Sequence, residues 1–207
     1  VNLGSFGFMM ELPKNGWREA IPALIDGRFR IETRMMIHVD VIRPSGLTVS
    51  RDVLNDAVIA RGMDVRPVRT VVRVNGNFLT EYVSDGLIAS TATGSTAYAM
   101  AVGGPIIEPE MRTILLIPIA PHLSLNHGLI LQPHDVIECT CRSRDVTVLS
   151  LDGGPSIQVA EEDKIRITAS DDSAYFVRIS SDGFFYRNFI QYMQRNPSAV
   201  QSRTPPA

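Results

Sequence analysis

Asp85–Pro105 reads D-G-L-I-A-S-T-A-T-G-S-T-A-Y-A-M-A-V-G-G-P, and this stretch organises the rest of the chain. Asp85-Gly86 opens it as a turn pair, and Leu87–Ala89 is a short apolar run. Small hydroxyl residues (Ser90, Thr91, Thr93, Ser95 and Thr96) then surround Gly94. Ala97–Val102 reads as a short helix, closed by Gly103-Gly104 and prevented from continuing by Pro105. The order is strand, polar turn, helix start. Two readings remain open from these residues alone. Such a turn can gather backbone N–H groups and hydroxyls at the positive end of a helix dipole, which suits an anion such as phosphate. It can equally be a capped helix on a threonine-rich loop. No lysine follows Gly94, so the loop is not of the Walker A type.

Short runs rich in β-branched residues flank this stretch on both sides. Residues 31–43, 53–60, 69–74 and 78–83 read as strands, as do 114–119, 129–131, 136–141, 146–151, 157–159, 165–169 and 175–179. Asn75-Gly76 between two of them is a strong hairpin signal. Strands this short, parted by turn residues, predict a mainly β chain with some α: an antiparallel, layered, sandwich-like domain. Asn15–Asp26 is a helix candidate with Asn15 as its cap and Trp17, Ile21, Leu24 and Ile25 on one face; Pro22 predicts a kink or a late start. Phe184–Gln194 reads as a terminal amphipathic helix, and residues 196–207 as a Pro/Ser-rich disordered tail.

Composition narrows the function class. Lys+Arg number 20 against 22 Asp+Glu, a net charge of −2, so there is no basic excess for nucleic acid. No apolar run approaches the roughly 20 residues that span a bilayer. Cys139 and Cys141 are the two cysteines. They stand too close for an ordinary structural bridge, which points to a reducing, cytoplasmic location. The chain opens on Val1, with no methionine, in strand-like residues running straight into a glycine turn, and is read as a fragment of a longer polypeptide.

Candidate chemistry falls in a few polar clusters. Asn55-Asp56 interrupts the apolar L-N-D-A-V-I run; it is either a buried polar pair needing partners or a turn at a strand's start. Asp152 in S-L-D-G-G has an ordinary reading as an Asp-Gly hairpin turn. His122 follows an apolar strand end. His122, His127, His134, Cys139 and Cys141 share one segment, but their spacing matches no familiar zinc pattern. There is no Gly-x-Ser-x-Gly elbow and no His-Glu-x-x-His.

Taken together, the clusters resemble the NAD kinases. The family writes D-G-L-I-V-S-T-P-T-G-S-T-A-Y where this chain has Asp85–Tyr98. Asn2–Phe8 is similar to its N-L-G-x-L-G-F, Leu54-Asn55-Asp56 to its L-N-E, Pro118–His122 to its P-I-x-P-H, and Leu151-Asp152-Gly153 to its S-x-D-G. The resemblance implies the β-rich, C-terminal part of a two-domain kinase over residues 28–183. Residues 1–27 would be a remnant of the N-terminal α/β domain, and 184–195 a C-terminal helix. It implies phosphoryl transfer from ATP or polyphosphate to the adenosine-ribose 2′-hydroxyl of NAD, with Mg2+ or another divalent cation. Asn55 and Asp56 would hold NAD through ribose hydroxyls. Thr93, Ser95, Thr96, Ala97 and Tyr98 would line the dinucleotide site, with Phe8 against the adenine. Asp152 would stand near the other end of the cleft. Asp85 and Tyr98 would act across a subunit boundary, implying a homodimer or homotetramer.

Four departures from the family pattern stand out. The family's Gly-Gly-Asp-Gly-Thr segment, with its catalytic aspartate, would lie upstream of Val1. Asp56 replaces a glutamate, Ala92 replaces a proline, and the residues after His122 lack an expected basic side chain. As a fragment, the chain is expected to be inactive. A non-catalytic nucleotide-binding module, or a lipid or sugar kinase on a related fold, are the alternatives.

Overall fold

A computed structural model of the chain describes residues 11–12, 15–63, 66–122, 125–143, 146–179, 185, 186 and 189. The readings made above for Val1–Phe8, for residues 196–207 and for most of Phe184–Gln194 fall outside them. In chain order, α1 (Trp17–Ile25) is followed by β1 (Arg30–Arg43), β2 (Gly46–Val53), β3 (Asp56–Arg61), β4 (Val68–Val74), β5 (Asn77–Ser84) and β6 (Gly86–Thr91). A single 3-10 turn, Gly94–Thr96, and the short helix α2 (Tyr98–Ala101) come next. The chain then continues through β7 (Ile114–Ile119), β8 (Leu129–Leu131), β9 (Ile137–Arg142), β10 (Thr147–Leu151), β11 (Ile157–Val159) and β12 (Lys164–Arg178).

The chain divides into two compact units, residues 33–174 and residues 1–32 with 175–207. Two six-stranded sheets, in the orders β2-β1-β12-β9-β4-β5 and β11-β10-β3-β6-β7-β8, make up the larger one. The pairings of β1 with β2, β12 with β9, β9 with β4, β4 with β5, β11 with β10, β10 with β3, β3 with β6, β6 with β7 and β7 with β8 are antiparallel. Successive side chains in a strand point to opposite faces, so each sheet turns alternate residues toward the other. Ile37, Val39, Val72, Cys139, Ile165 and Ile167 from the first sheet meet Ile59, Leu87, Ala89, Leu116 and Leu149 from the second in one core. This is the expected mainly β, sandwich-like architecture.

The second sheet is covered on its other face as well. Val58, Ile88, Leu115 and Ile117 point outward there and pack under Ala92, Ala99 and Ile107, from the loop and helix after β6. Strand β6 is therefore buried at all six positions. That is why it reads as a continuous small-apolar run rather than an alternating one.

Three boundaries differ from the sequence reading. Residues 53–60 are not one strand: β2 ends at Val53, the backbone bends at Leu54-Asn55, and β3 starts at Asp56. Strand β2 itself escaped notice because it is an edge strand paired only with β1 and carrying Thr, Ser, Arg and Asp. Strand β12 runs unbroken through Ser170-Asp171-Asp172, which read as a turn. Asp171 and Asp172 are exposed there, and an exposed face needs no apolar alternation.

Asn75 and Gly76 do form the β4–β5 hairpin, with φ of 52° and 78°, the pair of positive angles that a type I′ turn requires. In the smaller unit, α1 is not capped by Asn15; Gly16 holds that position without a side-chain bond. The helix starts late, at Trp17, and contains Pro22. The face expected to be buried is also corrected: Ala20 and Ala23 are buried, whereas Trp17, Ile21, Leu24 and Ile25 are exposed. Elsewhere in this unit Arg178 grips Glu32 through two 2.9 Å bonds.

Candidate functional site

The site grows from the place where β3 begins. Asp56 pairs with Ser90 of β6, and Ala57 pairs with Leu151 of β10, so the bend before β3 lies between the end of β6 and the end of β10. Gly94 allows the loop after β6 to lie directly on that bend. A Cβ at residue 94 would sit 2.0 Å from the Asn55 carbonyl oxygen and 2.5 Å from Ser90 Oγ, so no larger residue fits unchanged. Thr91 reinforces the contact: its N–H donates to Asn55 O at 2.9 Å and its hydroxyl to Leu54 O at 2.6 Å.

The loop's N–H groups are largely spent within the fold. Gly94 N–H goes to Thr91 Oγ1, Ser95 N–H to Ala92 O, and Ala97 N–H to Gly94 O. The Tyr98 backbone N–H, at the start of α2, is near enough to the Asp56 carboxyl to oppose the rise in its pKa. Of the two readings left open by the sequence, the structure favours an internally bonded loop over a cradle of free amides.

Asp152 closes the arrangement from β10. With Gly153 it forms the tight turn expected of Asp-Gly, at φ values of 49° and 66°, and Gly154 N–H bonds Leu151 O at 2.9 Å. Its carboxylate accepts from three successive backbone N–H groups: Leu54 at 2.8 Å, Asn55 at 2.7 Å and Asp56 at 3.2 Å. Asp152 thus stands beside Asn55 and Asp56. The sequence could not show this contact, since the partners lie 96 to 98 residues apart.

These elements line a cleft of about 340 Å³ walled by Asn55, Asp56, Val58, Ala97, Tyr98, Ser150, Asp152 and Gly153. Five of the residues singled out from sequence therefore converge: Asn55, Asp56, Ala97, Tyr98 and Asp152. Val58 was not foreseen, since it lies in an apolar run; Ser150 stood in the S-L-D-G-G cluster without a role of its own. Burial first, and then the charge of Asp152, push the Asp56 carboxyl up to about 6, against the lowering effect of the Tyr98 N–H.

Other predicted residues stand elsewhere. Ser95 is fully buried; its hydroxyl donates to Ala92 O at 2.7 Å and accepts from Ile107 N–H at 3.0 Å, so it ties the loop to the next segment. Buried Thr93 accepts from Arg34 at 3.1 Å, and Thr96 donates to Thr93 O at 3.2 Å. These hydroxyls build the loop that carries Ala97 and Tyr98. Asp85 lies at the opposite end of β6, roughly 16 Å of strand away, in an ion pair of 3.2 Å with Arg61. His122 is exposed and outside the cleft. Cys139 and Cys141 are core residues of β9. Phe8 lies outside the described residues.

Residues 54–179 match the family model of the ATP-NAD kinase C-terminal domain. The chain belongs to the NAD kinase family. It is 39% identical to the NAD kinase of Desulforamulus reducens over 89% of this chain and 65% of that one. Against the NAD kinase of Dehalococcoides mccartyi it is 34% identical, over 98% of this chain and 72% of the other. It spans about two thirds of the length of these relatives. Among solved structures, yeast NADH kinase complexed with NADH superposes with a TM-score of 0.86 at 26% identity, covering 94% of this chain and 57% of that one. An NAD kinase from Archaeoglobus fulgidus, in complex with ATP, shares the fold at a TM-score of 0.74, with 23% identity and coverage of 94% and 72%. No helix among the described residues is long and apolar enough to cross a membrane.

Proposed function

We propose that this chain is the dinucleotide-binding part of an NAD kinase, which moves a phosphoryl group from ATP or polyphosphate to the adenosine-ribose 2′-hydroxyl of NAD and so makes NADP. The observation that carries the proposal is the convergence of Asn55, Asp56, Ala97, Tyr98 and Asp152 on one cleft. Family membership and the likeness to a kinase complexed with NADH support it. At about 340 Å³ the cleft is near the small end of ligand pockets, room for one nucleoside end of a dinucleotide.

The chemistry of the walls suits a ribose. The Asn55 amide can donate to one hydroxyl and accept from another, while the Asp56 carboxylate accepts. Tyr98, 44% exposed, offers a flat apolar face, and Val58 adds an apolar floor. Phosphoryl transfer depends mostly on positioning and on stabilising charge, and these residues supply the acceptor's position. Thr93, Ser95 and Thr96 serve by fixing the loop, and Phe8 is proposed to stand against the adenine. Among the described residues no group of three or more His, Cys, Asp or Glu could hold a metal ion. The Mg2+ or other divalent ion of the reaction is therefore given no ligand among them. We place the enzyme in the cytoplasm as a homodimer or homotetramer, with Asp85 and Tyr98 facing a neighbouring subunit.

Calorimetric titration of the 207-residue chain with NAD tests the reading. Asn55→Ala is expected to weaken binding about tenfold, the worth of one or two hydrogen bonds. Unchanged affinity in that variant would remove the assigned site.

A further inference from the structure

We propose that Asp152 is a positioning residue for the dinucleotide site: by holding the 54–56 backbone it sets where Asn55 and Asp56 present their side chains. The proposal rests on the reading of the cleft as an NAD site. Both carboxylate oxygens are engaged, Oδ2 by Leu54 N–H and Oδ1 by the N–H groups of Asn55 and Asp56. The Asp152 N–H in turn donates to Asp56 O at 3.0 Å, so the turn after β10 and the bend before β3 are clamped in both directions. Hydrogen bonds to an ionised acceptor are about twice as strong as neutral ones.

The clamp acts at a bend that lies outside the strand ladders. Leu54 and Asn55 belong to neither β2 nor β3. On the far side the bend is held by the loop after β6, through Thr91 and Ser90 to the carbonyl oxygens of Leu54 and Asn55. Asp152 binds the N–H groups and that loop binds the carbonyls. Release of either lets the Asn55 and Asp56 side chains turn away from the cleft. Asp152 also places a negative charge beside Asp56, which helps to keep that carboxyl protonated further up the pH scale.

The test uses the 207-residue chain, with NAD as the probe. Asp152→Asn keeps one acceptor oxygen, and asparagine accepts the positive φ at this turn. Asp152→Ala removes all three bonds. NAD dissociation constants are read by calorimetry, and the Asp56 carboxyl is titrated by carbon NMR. We expect binding several-fold weaker in Asp152→Asn and more than tenfold weaker in Asp152→Ala, with Asp56 titrating at lower pH in both. A merely structural turn residue would lower the melting temperature while leaving the NAD affinity of the folded chain in place. If Asp152→Ala fails to fold, Asp152→Asn carries both readouts. Affinity within twofold of wild type in folded Asp152→Asn overturns the proposal. Should Asn55→Ala lose affinity in that same case, the NAD site stands and only the positioning role falls. Should Asn55→Ala bind normally, the site reading itself falls, and the positioning role with it.

Discussion

Replacing Gly94 by alanine should damage fold and site together, and the size of the effect follows from local geometry. The added Cβ would lie 2.0 Å from Asn55 O, 2.5 Å from the Asn55 carbonyl carbon and 2.5 Å from Ser90 Oγ. Ordinary carbon–oxygen contact is above 3 Å, so the loop and the bend must part by about 1 Å. Neither side yields cheaply, because Asn55 O accepts from Thr91 N–H at 2.9 Å and from Ser90 Oγ at 3.2 Å. Overpacking costs about 1–3 kcal/mol and each lost hydrogen bond about 1 kcal/mol, giving roughly 2–5 kcal/mol. For a chain of this size that lowers Tm by about 5–15 °C. Gly103→Ala is the control. Unlike Gly94 it has a positive φ (84°), and it meets nothing within 4 Å, so only the backbone cost of about 1 kcal/mol applies. The assay is thermal denaturation by circular dichroism, with NAD affinity measured alongside. If Gly94→Ala melts no lower than Gly103→Ala, the close approach of loop and bend is not as described.

The remaining predictions concern the same elements and one remote cluster. Ser95→Ala removes a buried hydroxyl that donates to Ala92 O and accepts from Ile107 N–H. It should cost about 1–3 kcal/mol in urea denaturation. Asp56 has its carboxyl raised from 3.8 to about 6, so ionising it opposes folding. Its penalty is absent below pH 3.8, grows between pH 3.8 and 6, and is complete above, reaching at most about 3 kcal/mol. Asp56→Asn should abolish that slope in stability-versus-pH curves while weakening NAD binding. His38 is raised above 6.5, chiefly by its 2.8 Å hydrogen bond to Asp52, with Asp40 adding to it and burial opposing. The groups facing the ring are Asp52, Asp40 and Ser50 Oγ. Its stabilising effect is full below pH 6.5 and lost as pH rises through the raised value, so His38→Gln should flatten the alkaline side of the curve.

Much of this was readable in the residues, for identifiable reasons. Strands β4, β5, β7, β9 and β10 carry β-branched or aliphatic residues and are set off by turn residues, and Asn75-Gly76 fixed one hairpin outright. Strand β2 was illegible because an edge strand can be polar without penalty. Residues 53–60 looked continuous because the bend at Leu54-Asn55 is created by partners far away in sequence. The same is true of the site. Asn55, Asp56 and Tyr98 announced themselves as polar or aromatic residues in motifs, but the hydrogen bonds that bring them together are non-local. Ser95 and Thr93 looked like ligand hydroxyls, yet nothing in their sequence context reveals that both are buried and already partnered. Thr91, which bonds the Leu54 carbonyl, had no separate signal within its run of hydroxyl residues.

The Asn55–Tyr98–Asp152 cleft is proposed to receive the dinucleotide. Titrating isotope-labelled chain with NAD and following backbone and Asn55 side-chain amide resonances tests it most directly. Saturable shifts should concentrate at residues 54–58, 97–98 and 150–153, with the Asn55 side-chain amide among the largest. Saturable shifts that spare these three segments, or none at NAD concentrations up to the millimolar range, would contradict it.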